Sequence, residues 1–168
     1  LRLGIGSRLE AILRDRHDSP AMWGLKWQFH GAPRDKRTKG WKFGVAGLAG
    51  NGNASDGTVT YSDNTTYKDD TDVTAGEFNI LAAYRVSQDV LWYATTHSAW
   101  YDARAKLTST SSELKTRAWS WQYGQAFGVE LGANRATLKL ETGVVRGSVK
   151  NMDSSTDYVF GGTVGLAW

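Results

Sequence analysis

Residues 157–168 read DYVFGGTVGLAW. Tyr158, Phe160, Gly162, Val164, Leu166 and Trp168 share one parity, and Asp157, Val159, Gly161, Thr163, Gly165 and Ala167 share the other. Successive strand residues point to opposite faces, so this segment has a bulky apolar face with an aromatic at each end and a second face that is small or polar. Such a division suits a strand standing between hydrocarbon and a filled, polar barrel interior.

The same alternation runs through the chain. A first strand is expected over 2–13, with Leu1, Leu3, Ile5, Leu9, Ala11 and Leu13 opposite Arg2, Gly4, Gly6, Arg8 and Glu10. Residues 14–20 read as a polar loop. Strand 21–30 sets Trp23, Leu25, Trp27 and Phe29 against Gly24, Lys26, Gln28 and His30, and strand 41–50 sets Trp41, Phe43 and Val45 against Lys42, Gly44 and Ala46. The connection 31–40 between them is basic. Residues 51–74, rich in Asn, Asp, Thr, Ser and Gly, read as the longest irregular stretch, with 59–61 as a strand extension beyond the bilayer. A structureless loop of that length is foreign to a compact soluble domain but ordinary on the outer rim of a membrane barrel. Strand 75–86 follows, then a tight turn at 87–89. In strand 90–101 the two parities are nearly balanced. Placing Val90, Trp92, Ala94 and Trp100 outward sets the two tryptophans at the spacing of two aromatic girdles and turns His97 inward. A polar loop is expected at 102–113, strands at 114–131 and 136–149, a short turn at 132–135, a loop at 150–156, and the last strand at 157–168. Long connections thus fall mostly on one rim and short turns on the other.

Composition agrees. The 168 residues include eight Trp, seven Tyr and nineteen Gly, but two Pro and no Cys. Amphipathic aromatics favour membrane interfaces, and strand glycines mark close approach inside a narrow lumen. No run attains the ~18 apolar residues that a membrane helix needs. The absence of Cys excludes disulfides and thiolate metal sites. A net charge of +3 is compatible with anionic head groups and is no nucleic-acid footprint. The chain starts inside a strand pattern at Leu1, from which removal of a leader is expected.

The terminal aromatic, preceded by apolar residues at alternate positions, resembles the C-terminal signature of bacterial outer-membrane barrels. In that family Tyr158, Phe160, Val164, Leu166 and Trp168 correspond to the signal read by the insertion machinery. In size, topology and chain end the whole chain resembles small barrels of the OmpA/OmpX type. The resemblance implies an eight-stranded antiparallel up-and-down transmembrane β-barrel, a single domain over 1–168, located in the bacterial outer membrane. Its implied partners are the lipids of that membrane, lipopolysaccharide among them, and the insertion machinery.

On that expectation the outward parity supplies an aromatic girdle of Trp23, Trp27, Trp41, Trp92, Trp100, Trp119, Trp121, Tyr158 and Trp168. The inward parity supplies a lumen charge network of Arg8, Glu10, Lys26, Lys42, Glu77, Arg85, Glu130, Lys139 and Glu141. An eight-stranded interior is just wide enough for side chains, so these charges are expected to pair into a plug around Arg8, Glu10, Arg85, Glu130 and Glu141. A lipocalin-like soluble barrel inverts the faces, and the aromatic side would overfill its cavity.

The residues offer little catalysis. Outer-membrane lipid A deacylases use a Ser and a His, but adjacent His97 and Ser98 must face opposite sides of a strand, and the His-x-Ser spacing of that family is absent. Asp69, Asp70 and Asp72 lack a D-x-D-x-D-G calcium loop and read as solvated. His17 and His30 carry no metal spacing. The cluster Arg34, Lys36, Arg37 and Lys39 reads as a soluble turn or a head-group contact, and Tyr61, Tyr67, Trp100 and Tyr101 as contact anchors or loop packing. The expectation is a non-catalytic surface protein, without cofactor or metal, that displays 51–74 for binding or envelope integrity. A narrow pore for small or hydrophobic solutes and a lipid-modifying enzyme are the alternatives.

Overall fold

The computed structural model describes all residues except 17–18, 34–37, 61–65, 110–111, 134–135, 151 and 167–168. Among the described residues the fold is all-β with no helix. Its strands are β1 (Arg2–Gly4), β2 (Leu9–Arg16), β3 (Ser19–His30), β4 (Gly40–Thr60), β5 (Thr66–Arg85), β6 (Val90–Thr108), β7 (Glu113–Ala133), β8 (Ala136–Val149) and β9 (Ser155–Leu166). They form one antiparallel meander in sequence order, β1 to β9. The sheet is open: among the described residues each strand pairs only with its sequence neighbours, and β1 and β9 are the edges. No helix is long and apolar enough to cross a membrane, which says nothing of strands.

Four expectations about the chain's course are corrected. Residues 14–20 are mostly strand, since β2 runs to Arg16 and β3 starts at Ser19, with Arg16 opposite Ser19. The single strand over 2–13 is two strands folded back on each other, with Arg2 opposite Ile12, Leu3 opposite Ala11 and Gly4 opposite Glu10. Leu1 and Leu13 exchange hydrogen bonds from N to O in both directions, at 2.7 and 2.8 Å. Residues 51–74 are not irregular. β4 continues to Thr60, and β5 starts at Thr66 and stays in register from Thr66–Thr60 down to Arg85–Gly40, with one shift between Asn53 and Ser55. Likewise 102–113 is mostly strand, with β6 running to Thr108 and β7 starting at Glu113. The β-branched residues of these segments (Thr58, Thr60, Thr66, Thr71, Val73 and Thr74) favour a pleated backbone even where neither face is apolar. β4 to β7 therefore project together as a four-stranded panel beyond β3 and β8.

The 31–40 connection is bracketed by two left-handed glycines, Gly31 (φ 88°) and Gly40 (φ 119°). A Cβ on Gly31 would also run into the Trp41 carbonyl, so glycine is required there twice over.

The two faces of the sheet differ as the alternation predicts. Trp23, Trp27, Trp41, Phe78, Ile80, Tyr123, Phe127 and Leu140 all stand exposed on one face, Trp23 at 69%. On the other, Met22 (1% exposed), Ala46, Leu48 and Ala75 are buried, with Ile12, Leu81 and Tyr101 packed against them. This cluster draws on five strands, β2 to β6. Residues so far apart in the strand order meet only if the sheet curls, which makes this face concave. The last strand lies beyond the curl: Tyr158 and Phe160 on one side (80% and 82%) and Val159 on the other (45%) are all exposed.

Candidate functional site

The concave face carries the charged residues. Arg14 of β2 reaches over β3 and β4 to the Glu77 carboxylate of β5, and also donates to the Met22 sulfur at 2.9 Å. Asn79 donates to the other Glu77 oxygen at 2.8 Å. Further along the same face, Arg85 of β5 passes over β6 to Glu130 of β7 at 3.6 Å, and Lys139 of β8 approaches the second Glu130 oxygen at 3.0 Å. Arg85, 7% exposed, also donates to the Gln88 carbonyl at 3.0 Å, which ties this cluster to the 87–89 turn. Between the two clusters, buried Glu10 stands opposite Lys26 in the β2–β3 register.

Small residues make room for the large ones. Tyr93 lies over its register partner Gly128, where an added Cβ would meet the ring at 2.6 Å, and His97 lies over Gly124. Tyr93, Gly128 and Glu141 share one rung across β6 to β8. His97 therefore points to the concave side. Ser98 stands on the convex side, opposite Phe78 and Tyr123.

Not all expected members of the charge network meet. Glu77, Arg85, Glu130 and Lys139 are in ion pairs, but Arg8 is exposed and donates to the Gly31 carbonyl at 3.1 Å, at the rim rather than in a plug. Lys42 approaches the Pro33 carbonyl at 3.4 Å, beside that rim. Glu141 is exposed, because β9 leaves its side of the face uncovered. Arg14, assigned to a polar loop by sequence, is a strand residue and a principal partner. Its only signal was its parity with Glu10 and Ile12.

On the convex face Trp23, Trp100 and Trp121 share one rung with Ala49 and Gly76 across β3 to β7. The Trp100 indole folds over Gly76, whose added Cβ would meet it at 2.5 Å. A second rung holds Trp41, Tyr84 and Trp92, with the Trp41 and Tyr84 rings 5.1 Å apart. Trp119 is exposed two residues beyond Trp121, and Trp27 and Tyr158 are exposed between the rungs. Of the chain-end residues, Tyr158, Phe160 and Val164 are exposed on β9, whose backbone pairs with β8 as far as Leu166, while Trp168 lies outside the described residues.

The minor candidates separate too. Asp69, Asp70 and Asp72 sit in β5, not in a solvated loop. Thr71 donates to Asp69 at 3.0 Å and Asn53 to Asp70 at 3.3 Å. No cluster of His, Cys, Asp or Glu fit to hold a metal occurs among the described residues. Tyr101 is no exposed anchor but packs on the Met22 cluster, and Tyr67 is half-buried within 3.4 Å of Ser112. Lys39 is exposed. His17, Arg34, Lys36, Arg37 and Tyr61 lie outside the described residues.

The projecting panel carries its own charge pattern. Arg117 grips Asp102 with two hydrogen bonds, at 2.7 and 2.9 Å, and Arg104 adds a third at 3.2 Å. Glu113 lies between Lys115 at 2.6 Å and Lys106 at 3.1 Å. The paired guanidiniums, Arg117 first, hold the Asp102 carboxyl below its ordinary range, and Lys115 and Lys106 do the same to Glu113.

No known family, curated protein or solved structure matches the chain.

Proposed function

We propose that the chain is a non-catalytic β-barrel protein of the bacterial outer membrane. On this reading β2 to β9 are its eight staves, the convex tryptophan-bearing face meets lipid, and the β4–β7 panel stands outside the cell as a surface for binding or envelope integrity. One observation carries the reading: below the panel the sheet holds its ion pairs on the concave face and leaves its large aromatic and aliphatic side chains uncovered on the convex one. A soluble sheet with this curvature would do the reverse, since monomeric soluble proteins rarely expose so wide an apolar surface. Hydrocarbon also forbids an open edge, because an unpaired backbone group there costs several kcal/mol. Closure therefore requires β9 to pair with the N-terminal strand, in the place that β1 holds against β2.

The filled concave face supports an anchor over a conduit. The test is refolding into detergent micelles, followed by electrophoresis with and without heating. A closed barrel gives a faster-migrating unheated band. A cysteine at Ala11, with a second scanned over 158–164, would then form a disulfide at one register, against a background with no native Cys. A chain that folds without amphiphile, shows no heat-dependent band and forms no such cross-link is not a membrane barrel.

A further inference from the structure

Below the panel, one sector of the convex face does not suit hydrocarbon. Between the two aromatic rungs β3 to β5 present Leu25, Val45, Gly47, Phe78, Ile80 and Ala82, all apolar. The same band on β6 to β8 carries Thr96, Gln125 and Thr142. These three line one shallow recess with Ala94 and Val144, beside the rings of Phe127 and Tyr158. Gln125 is the costly member. Its amide nitrogen donates to the Tyr123 hydroxyl at 2.8 Å, and among the described residues no group donates to its carbonyl oxygen. A primary amide has two donors and an oxygen with two lone pairs, so a single bond leaves most of it unmet where no water reaches.

Depth decides what can answer this amide. Thr96 lies midway between Trp92 and Trp100 on β6, and Gln125 is its register partner, so both stand well inside the two girdles. A lipid chain offers no hydrogen bond there. A second copy of the chain does: inserted by the same route it has the same orientation, and a two-fold axis along the bilayer normal sets Gln125 against Gln125 of the second copy at equal depth. Amides are self-complementary, each N–H meeting the other's carbonyl. Small side chains around the recess let the two walls approach, as packed surfaces in membranes require. Charge does not oppose the contact. The rungs Ala94–Phe127–Thr142–Phe160 and Thr96–Gln125–Val144–Tyr158 hold no ionised group, and Arg146, one rung above, turns to the Ser154 hydroxyl at 3.0 Å.

We propose that the protein pairs with a second copy of itself in the plane of the membrane, through the β6–β8 sector, with Gln125 at the two-fold axis and the Thr96 and Thr142 hydroxyls flanking it. The inference rests on the barrel reading above. It gives the amide a purpose: Gln125 is a burden to the lone barrel and the central contact of the pair. Gln125→Leu therefore moves barrel stability and dimer fraction in opposite directions, which a merely structural role for Gln125 would not do.

The test uses the full chain, which has no native Cys, refolded into phosphatidylcholine bilayers as Val144→Cys and separately as Leu25→Cys, whose strand lies across the barrel from β7. A short bis-thiol reagent is added at several dilutions of protein in lipid, and dimer is read by electrophoresis beside the heat-modifiable band. Val144→Cys gives dimer at dilutions where Leu25→Cys gives none. Gln125→Leu, added to Val144→Cys, keeps the band and needs roughly fivefold or more protein per lipid for the same dimer fraction, the scale of a mutual pair of hydrogen bonds in lipid. Thr96→Val, read in the same way, stands in if Gln125→Leu does not insert, and lowers the dimer fraction in the same direction. Equal cross-linking at the two positions, no dimer at any dilution, or a dimer fraction that neither substitution moves overturns the pairing and leaves the barrel standing. A chain that yields no heat-modifiable band removes the barrel reading, and the pairing with it.

Discussion

Replacing Glu130 with Gln removes the one carboxylate that Arg85 and Lys139 share. The two cations differ in what they can do next. The Lys139 side chain is 41% exposed and can turn to water, whereas that of Arg85 is 8% exposed and, among the described residues, keeps the Gln88 carbonyl. Leaving a buried charge without its counter-ion costs ~3 to 5 kcal/mol in well-ordered cases. Glu130 is 18% exposed and lies 3.6 Å from Arg85, and the glutamine oxygen still accepts a hydrogen bond, so the cost falls at or below the lower end of that range. About 2 to 3 kcal/mol, divided by a urea dependence of about 2 kcal/mol per molar, lowers the unfolding midpoint by roughly 1 to 1.5 M. The double variant R85M/E130L removes both charges at once and should fall within ~1 kcal/mol of the parent, since an apolar replacement of a buried pair is close to neutral. The assay is urea unfolding of refolded protein by tryptophan fluorescence, run as a double-mutant cycle. A midpoint unchanged within ~0.2 M in E130Q, or a double variant as weak as R85M alone, would mean that the concave face is wet and its ion pairs carry nothing.

Two further outcomes follow. Gln125 stands on the convex face opposite Thr96, midway between Trp92 and Trp100, and its amide donates to the Tyr123 hydroxyl at 2.8 Å. If that face meets hydrocarbon, Gln125→Leu stabilises the bilayer-inserted protein by ~1 kcal/mol or more, because a buried amide with incomplete bonding is costly; a loss of stability in bilayers would place the face in water. Asp102 is held below its ordinary value of 3.8 by Arg117 and then Arg104. Its contribution is complete above that ordinary value and disappears as pH falls through the lowered one. Carboxyl-carbon NMR should therefore give a midpoint under the usual Asp range, and Arg117→Gln should raise it; an unshifted titration in the variant would show that the pair does not form in solution.

The strand faces were legible because a period of two is written in large side chains. Trp23, Leu25, Trp27 and Phe29 against Gly24, Lys26 and Gln28 leave one reading. The fold-back of β1 was not legible, for a reason internal to the pattern. Partners in that hairpin sum to an even number (Leu3 with Ala11, Arg2 with Ile12), so folding the segment back keeps every side chain on its own face. Straight and hairpin forms give the same alternation. Only Gly4, Gly6 and Ser7 hinted at a turn. The panel was missed because both its faces are polar, and its strand signal lay in β-branched content instead. The Arg14–Glu77 pair was beyond reach, since it joins strands three apart in order and exists only through curvature.

That curvature bears on closure. Neighbouring strands lie roughly 4.8 Å apart, so β2 and β5 are separated by about 14 Å of arc. Extended Arg and Glu side chains span less than that across a flat sheet, so the Arg14–Glu77 contact requires an arc approaching the small radius of an eight-stranded barrel. A sheet curled this far over β2 to β7 brings its two edges towards each other as β8 and β9 are added. Against β2 the competitor for that place is β1, three residues long, whereas β9 offers twelve. In water the longer ladder gains little, because a free edge is hydrated. In hydrocarbon each unpaired group of β9 costs several kcal/mol, and the balance turns against the short strand. On the proposed reading the solvent decides whether the sheet is open or closed, and the fold-back of β1 is the form that the chain can leave at small cost when it enters the membrane.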